Sequence, residues 1–190
     1  MRMNKYKILA LFGKSGSGKD TIQNRIVFDN SDITNKIISC TTRPKRDYEQ
    51  EGVDYYFIEP DVFSEKVLNG SMLEATSFRD WFYGTGIEQL SEDKINVGVF
   101  NIQGIECLLE DSRLEVLPVL IEVNNKKRLI RTLSREENPD CQEVCRRFLA
   151  DEKDFSLIPF KYETFYNEDD YSPRLFDSFD PIKQFMGKNN

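Results

Sequence analysis

The sequence predicts an α/β fold: a parallel sheet covered by helices on both faces, a three-layer core organised around a phosphate-binding loop. Two observations carry that expectation. The apolar run Ile8-Leu9-Ala10-Leu11-Phe12 leads into Gly13-Lys14-Ser15-Gly16-Ser17-Gly18-Lys19 and then into a helical segment, Asp20 to Phe28. Further apolar runs follow at Ile37-Ile38, Val97-Gly98-Val99-Phe100 and Val116 to Val123, the last interrupted by Pro118. Helical patterns lie among them at Gln103 to Leu109 and at Val144 to Phe155, the latter preceded by Pro139 and Asp140. Buried strands alternating with helices build largely parallel sheets.

The first strand–loop–helix unit has the chemistry of a phosphate cradle. Glycines adopt backbone angles closed to other residues, so successive N–H groups can face one anion. The helix that follows adds its positive N-terminal end, and Lys19 is placed to reach the outer phosphates. Gly13 through Gly18 and Lys19 fit G-x-x-x-x-G-K in the right strand context, so a nucleoside triphosphate is the expected ligand. After the lysine the motif calls for Ser or Thr as a magnesium ligand; here Asp20 stands there, with Thr21 next. A carboxylate can bind Mg2+ directly or through water. It is also a residue that the helix dipole favours at an N-terminus.

At 190 residues the chain suits one compact domain with small inserts. Hydrophobic residues make up 39% and charged residues 31%, the balance of a globular protein with a real core. No apolar stretch approaches a membrane span, and Met1 to Asn4 leads straight into the first strand, which predicts a cytoplasmic protein. The net charge of −7 argues against nucleic acid or anionic membrane as a partner. The cations nevertheless cluster: Lys14 and Lys19; Arg43, Lys45 and Arg46; Lys126, Lys127, Arg128, Arg131 and Arg135; Arg146 and Arg147. Clusters that converge on one cleft in an acidic protein suit a small polyanion, although Lys126 to Arg128 reads equally as a solvated helix face. Histidine is absent, which excludes every imidazole acid–base mechanism. The four cysteines, Cys40, Cys107, Cys141 and Cys145, lack zinc-ribbon spacing and read as reduced packing residues.

Two stretches depart from the βα rhythm. Ser39 to Thr85 is rich in aromatics, with a strand-like Asp54 to Ile58 and a short helix over Pro60 to Leu68, and reads as a small β-rich insert. Asn124 to Asp140 is polar and cationic, which suits a mobile lid. The expected division is therefore a single domain, with core 1–36, 87–123 and 139–190, insert 37–86 and lid 124–138. The tail turns amphipathic around Leu175, Phe176, Phe179 and Ile182, with Pro181 breaking any closing helix.

A second anion site is suggested by Ser39-Cys40-Thr41-Thr42-Arg43-Pro44-Lys45-Arg46. Pro44 biases Arg43 toward extended backbone, and arginine's planar fork of donors fits phosphate oxygens. Tyr55 can add a hydroxyl. In Met72-Leu73-Glu74-Ala75 the apolar neighbours predict partial burial of Glu74, whose carboxylate could accept from a base edge. A surface hairpin with scattered charges is the alternative from composition alone.

Taken in order, S-G-S-G-K, S-C-T-T-R-P-K-R, E-G-V-D-Y-Y-F, M-L-E and F-Y-G-T resemble the guanylate kinase family, over Ile8 to about Asp170. The resemblance implies a P-loop core with a nucleoside-monophosphate-binding insert and a lid, and ATP-dependent phosphorylation of GMP or dGMP with Mg2+. It further implies that Arg43, Arg46, Tyr55 and Tyr83 hold the monophosphate, and that Ser39 and Glu74 read guanine. Thr85 falls where the family has a small hydroxyl residue near the base or phosphate. Arg131 and Arg135 correspond to lid arginines, Arg147 to the arginine on the helix behind the lid, and Asn167 to an asparagine near adenine. Monomer and homodimer both remain open.

The chain departs from the family pattern at three positions. Val99 and Asn101 replace the two aspartates of an Asp-x-Asp at a strand end, and Asp20 replaces the loop hydroxyl. Asn101 keeps an acceptor but loses charge where guanine is read. One carboxylate near the metal is lost at Val99 and one gained at Asp20, which leaves the local charge balanced. Gly-Lys-Asp and an asparagine before the next helix also resemble a branch that phosphorylates ribose 1,5-bisphosphate. Other acceptors implied as alternatives are further deoxynucleoside monophosphates, and a catalytically inactive interaction module is the alternative of another class.

Overall fold

The computed structural model describes residues 6–47, 49–78, 80–135, 137–168 and 179–187. Strand β1 (Tyr6–Phe12) is the centre of the core sheet. It pairs in parallel with β7 (Ile95–Val99) on one side and β8 (Leu114–Glu122) on the other. β2 (Thr34–Lys36) and β9 (Glu163–Tyr166) complete the edges, so the order is β2-β7-β1-β8-β9, all parallel. Because successive residues of a strand face opposite sides, β1 feeds two cores. Leu9 and Leu11 pack with Ile22, Ile26, Val97, Val119 and Ile121 on one face; Ile8, Ala10 and Phe12 pack with Ile105, Leu108 and Leu120 on the other. Helix α1 (Lys19–Asp29) covers the first face and α3 (Ile102–Glu110) the second.

The insert forms its own sheet, ordered β4-β3-β6-β5, from β3 (Cys40–Thr41), β4 (Tyr56–Phe57), β5 (Met72–Phe78) and β6 (Trp81–Gly86). α2 (Pro60–Leu68) starts with proline in its first turn and buries Phe63. The lid segment is helical as α4 (Asn125–Leu133), followed by α5 (Cys141–Asp154), whose Asp140 side chain caps the N-terminus through Glu143 N–H.

Four expectations shift. The strand expected at Ile37-Ile38 ends at Lys36, although Ile37 stays buried just beyond it. Pro118 does not interrupt β8: it pairs with Ala10, and β9 begins only opposite Val119, so on its outer side the strand is still an edge there. Pro181 opens α6 (Asp180–Phe185) rather than breaking it, because proline lacks only an N–H that the first turn leaves unpaired. Of the free cysteines only Cys40 is buried; Cys107, Cys141 and Cys145 are exposed and cannot be packing residues. Leu175, Phe176 and Asp170 lie outside the described residues.

Candidate active site

The loop between β1 and α1 has the left-handed backbone that its glycines permit: Gly16 at φ +79° and Gly18 at φ +86°. Gly18 is the N-cap of α1, and no side chain caps that helix, so its first N–H groups remain available to an anion. Neither glycine could carry a side chain. A Cβ at Gly16 would stand 2.6 Å from both the Arg128 carbonyl and Thr132 Oγ1; one at Gly18 would stand 2.7 Å from Asn167 Nδ2. The Ser17 hydroxyl is fully buried and has no hydrogen-bond partner among the described residues.

Lys19 lies inside this cage with its Nζ 3.5 Å from the Lys14 carbonyl. Burial pulls its pKa below the ordinary lysine value; the Asp20 and Asp151 carboxylates oppose that shift, and the Arg135 and Arg128 charges add to it. A polyphosphate would supply the missing counter-charge. Asn167 closes the cage: its Nδ2 donates to Ser17 O at 2.7 Å, and its carbonyl accepts from Arg131 Nη2 at 3.4 Å. Arg135 is exposed. Two other expected residues are engaged elsewhere. Arg147 forms an i,i+4 pair with Glu143 at 2.7 Å, and Lys14 pairs with Glu152 at 2.8 Å. Ser15 gives its N–H to Asp151 at 2.7 Å. Asp20 and Thr21 are exposed on the first turn of α1, and the Asp20 charge is felt at both Lys19 and Tyr55. Val99, at the end of β7, is half-buried and pairs with Leu11.

That second site is built on the segment after β3. Arg43 forks onto Glu49 at 2.7 and 2.9 Å, and the Arg46 N–H donates to the same carboxylate at 2.9 Å. Burial alone would raise the pKa of Glu49, but these donors hold it below the usual carboxylate range. The Arg43 guanidinium also lies 5.7 Å from the ring centres of Tyr55 and Phe57, and it hydrogen-bonds to Tyr83. The Tyr55 and Tyr83 rings are 6.0 Å apart. Burial first, and then the charge of Asp20, pushes the Tyr55 hydroxyl well above its ordinary pKa, so it stays a donor.

Across the insert sheet, Glu74 on β5 stands opposite Thr85 on β6. Glu74 is 7% exposed, and no basic side chain pairs with it among the described residues. Burial raises its pKa to about 7, with the Thr85 hydroxyl the opposing influence. Thr85 in turn lies 3.0 Å from the Ser39 hydroxyl. Asn101 is the N-cap of α3: its Oδ1 accepts from Gly104 N–H at 2.7 Å and its Nδ2 donates to Thr76 at 2.9 Å. A Cβ at Gly104 would stand 3.2 Å from both Asn101 Oδ1 and Glu74 Oε2, so that glycine keeps open the space between them.

Most of the expected residues therefore gather in two neighbouring clusters. Sequence reasoning missed Glu49 and Gly104, whose partners Arg43, Arg46 and Asn101 are close in sequence, and Thr76, Asp151 and Glu152, whose partners are distant along the chain. It left Arg128 undecided as one of a run of surface-like cations, yet Arg128 is 2% exposed.

Comparison with known proteins agrees with this geometry. A family model described as guanylate kinase matches residues 5–175. A guanylate kinase of Desulfotalea psychrophila is 33% identical over 172 residues, 88% of this chain and 84% of that protein. One of Mycoplasmoides gallisepticum is 28% identical over 187 residues, 96% and 93% of the two chains. The solved structure of guanylate kinase from Anaplasma phagocytophilum shares the fold, with a TM-score of 0.64 at 20% identity, covering 97% of this chain and 86% of that one. By that family model and these relatives, the chain belongs to the guanylate kinase family.

Proposed function

We propose that the guanylate kinase activity of this chain, transfer of the γ-phosphoryl of ATP to GMP or dGMP, runs through the two clusters just described. The observation that carries the acceptor reading is Glu74, a buried carboxylate without a cationic partner, beside the Ser39 and Thr85 hydroxyls. Such a group is costly unless a ligand supplies donors. The N1 and N2 hydrogens of guanine are donors of the required kind, and Ser39 can donate to O6. Asn101 spends one Nδ2 hydrogen on Thr76 and one Oδ1 lone pair on Gly104 N–H, which leaves it a donor and an acceptor for the base beside Glu74.

Arg43, Arg46, Tyr55 and Tyr83 would bind the acceptor phosphate. Gly13 to Lys19 would cradle the β- and γ-phosphates of ATP, with Asn167 at its edge. Lys19, Arg131 and Arg135 would stabilise charge spread over the transferring group, which is most of what phosphoryl transfer demands of a protein. Arg147 would join them only after releasing Glu143. Closure of the lid over both substrates belongs to the same reading, since it excludes water from the transfer.

Mg2+ fits the residues present. It binds through one or two carboxylates plus substrate phosphates, and Asp20 is an exposed carboxylate whose charge reaches both anion sites. When bound, the ion neutralises the phosphate oxygens. Asp20→Ser should raise the Mg2+ concentration needed for half-maximal turnover; an unchanged Mg2+ dependence would sink the idea that Asp20 takes over from the aspartate missing at Val99. A cytoplasmic location, a monomeric or homodimeric state and the absence of nucleic-acid or membrane partners complete the proposal. The net charge of −7 supports the absence of nucleic-acid and anionic-membrane partners, and among the described residues no helix is long and apolar enough to cross a membrane.

The decisive assay is ADP formation from Mg-ATP against GMP, dGMP, AMP, dAMP, CMP, dTMP and ribose 1,5-bisphosphate. Turnover confined to GMP and dGMP is expected. Turnover with another acceptor would remove Glu74 as the reader of guanine.

A further inference from the structure

Arg128 is the largest fully buried side chain of the described residues, and it lies against the phosphate loop without having been given a role above. Its guanidinium is satisfied on every side. Nε donates to Asn125 at 3.2 Å, Nη1 to Asp151 at 3.1 Å and to the Ser15 carbonyl at 3.3 Å, and Nη2 to Glu152 at 2.9 Å. The Phe148 ring covers its plane at 4.5 Å. Asp151 uses the same oxygen, Oδ2, to accept the Ser15 N–H at 2.7 Å. One ion pair thus engages both backbone polar groups of a single residue in the phosphate loop. Next to it, Lys14 is tied to Glu152, and the α4 backbone closes over Gly16.

We propose that Asp151, braced by the buried Arg128, is a positioning residue for the phosphate loop: the pair fixes Ser15 and so presets the N–H groups of Gly16, Gly18 and Lys19 for ATP. The inference rests on the loop being the ATP site. The physical basis is entropic. A glycine-rich loop has much conformational freedom to lose on binding, and a buried charge-assisted contact holds its entry in place before the ligand arrives. The two carboxylates balance the cations Arg128 and Lys14, so the brace adds no net charge to the cage. Bracing from α4 and α5 also makes the loop's geometry depend on the lid elements.

The opposite role is physically distinct: the Asp151 carboxylate could occupy an N–H that a phosphate oxygen needs, and be displaced by ATP. Calorimetric titration separates the two. Wild type, Asp151→Ala and Asp151→Asn would each be titrated with Mg2+ and a non-hydrolysable ATP analogue, and separately with GMP. Positioning predicts that Asp151→Ala weakens the ATP analogue by about tenfold, as loss of a buried charge-assisted hydrogen bond implies, with GMP affinity within about twofold of wild type. Asp151→Asn keeps an acceptor for Ser15 N–H and should recover part of the loss; it decides the question if the alanine variant does not fold. Unchanged or tighter binding of the analogue overturns the proposal, and so does an equal loss for both ligands. Failure of the wild type to bind the analogue would instead remove the ATP reading itself.

Discussion

In the phosphate loop the proposed recognition groups are backbone N–H donors shaped by Gly16 and Gly18; in the proposed base wall they are side chains, Ser39, Glu74 and Thr85, brought together across a sheet. The two regions are therefore sensitive to opposite kinds of change. The loop cannot tolerate an added Cβ, whereas the wall cannot tolerate a changed functional group on a conserved shape. They also differ electrostatically. The loop gathers cations around a lysine whose burial already disfavours its charge, while the wall buries a carboxylate that has no cationic partner among the described residues. Under the proposed function, each region is unfavourable alone in a way that its ligand would relieve.

The largest effect is expected at Lys19. Lys19→Met keeps length and apolar packing but removes the charge nearest the transferring group, and should lower kcat by about a thousandfold, in the range of losing a transition-state donor. GMP affinity should not move, because Arg43 and its partners lie in the other cluster. Turnover within tenfold of wild type would break the contrast between the regions at its strongest point.

Arg43→Ala comes next. Arg43 touches Glu49, Tyr55, Phe57 and Tyr83 at once, so its loss leaves Glu49 buried without its main partner. Steady-state kinetics should show kcat/KM for GMP reduced by about a hundredfold, with KM for ATP changed far less. Equal losses for both substrates would mean that the clusters are one cooperative unit.

The same division explains what could be read in advance. A backbone site has a local signature, because the glycines, the lysine and the flanking strand and helix are contiguous; Gly13 to Lys19 was legible for that reason. The parallel core was equally legible, since buried strands such as Ile8 to Phe12 carry their apolar character in one run. The wall became legible only through resemblance, because Ser39 meets Thr85 through β3–β6 pairing across 46 positions, and Glu74 joins them through β5–β6 pairing, a combination that no local pattern encodes. Glu49, Asp151 and Glu152 look like ordinary surface acids along the chain, and Arg128 like one more cation in a polar run. For Arg128, Asp151 and Glu152 the contacts follow from long-range packing: Asp151 meets Ser15 across 136 positions of sequence; Glu49 is instead folded onto Arg43 and Arg46, close by in the same loop. Edges were the other weak point. Pro118 and Pro181 look disruptive in isolation, yet each falls where an N–H is dispensable.

Glu74 sharpens the comparison further through pH. Guanine's N1 and N2 hydrogens need an ionised acceptor, and Glu74 in the free protein titrates at about 7. As pH falls through that value the protonated form accumulates, so kcat/KM for GMP should fall, approaching about tenfold per unit on the acid side. Glu74→Gln should be low throughout and lose this limb. A profile flat in wild type from about pH 6 to 8 would show that Glu74 is not the reader.

The smallest expected effect concerns stability without any ligand. The folded state raises the pKa of Glu74 from 4.5 to about 7, so it binds this proton more tightly than the unfolded chain. Folding is then penalised progressively as pH rises between those two values, with the full penalty above the higher one and none well below the lower. Glu74→Gln is neutral at every pH and escapes the penalty, while other titrating groups contribute equally to both proteins and cancel in the difference. The melting temperature of the variant should therefore gain on that of wild type by about 5 °C between pH 5 and pH 8. A constant difference across that interval would mean that ionising Glu74 costs the free protein nothing. The wall would then not be storing an unsatisfied charge for guanine to relieve, and the two regions would differ in architecture but not in the way their ligands stabilise them.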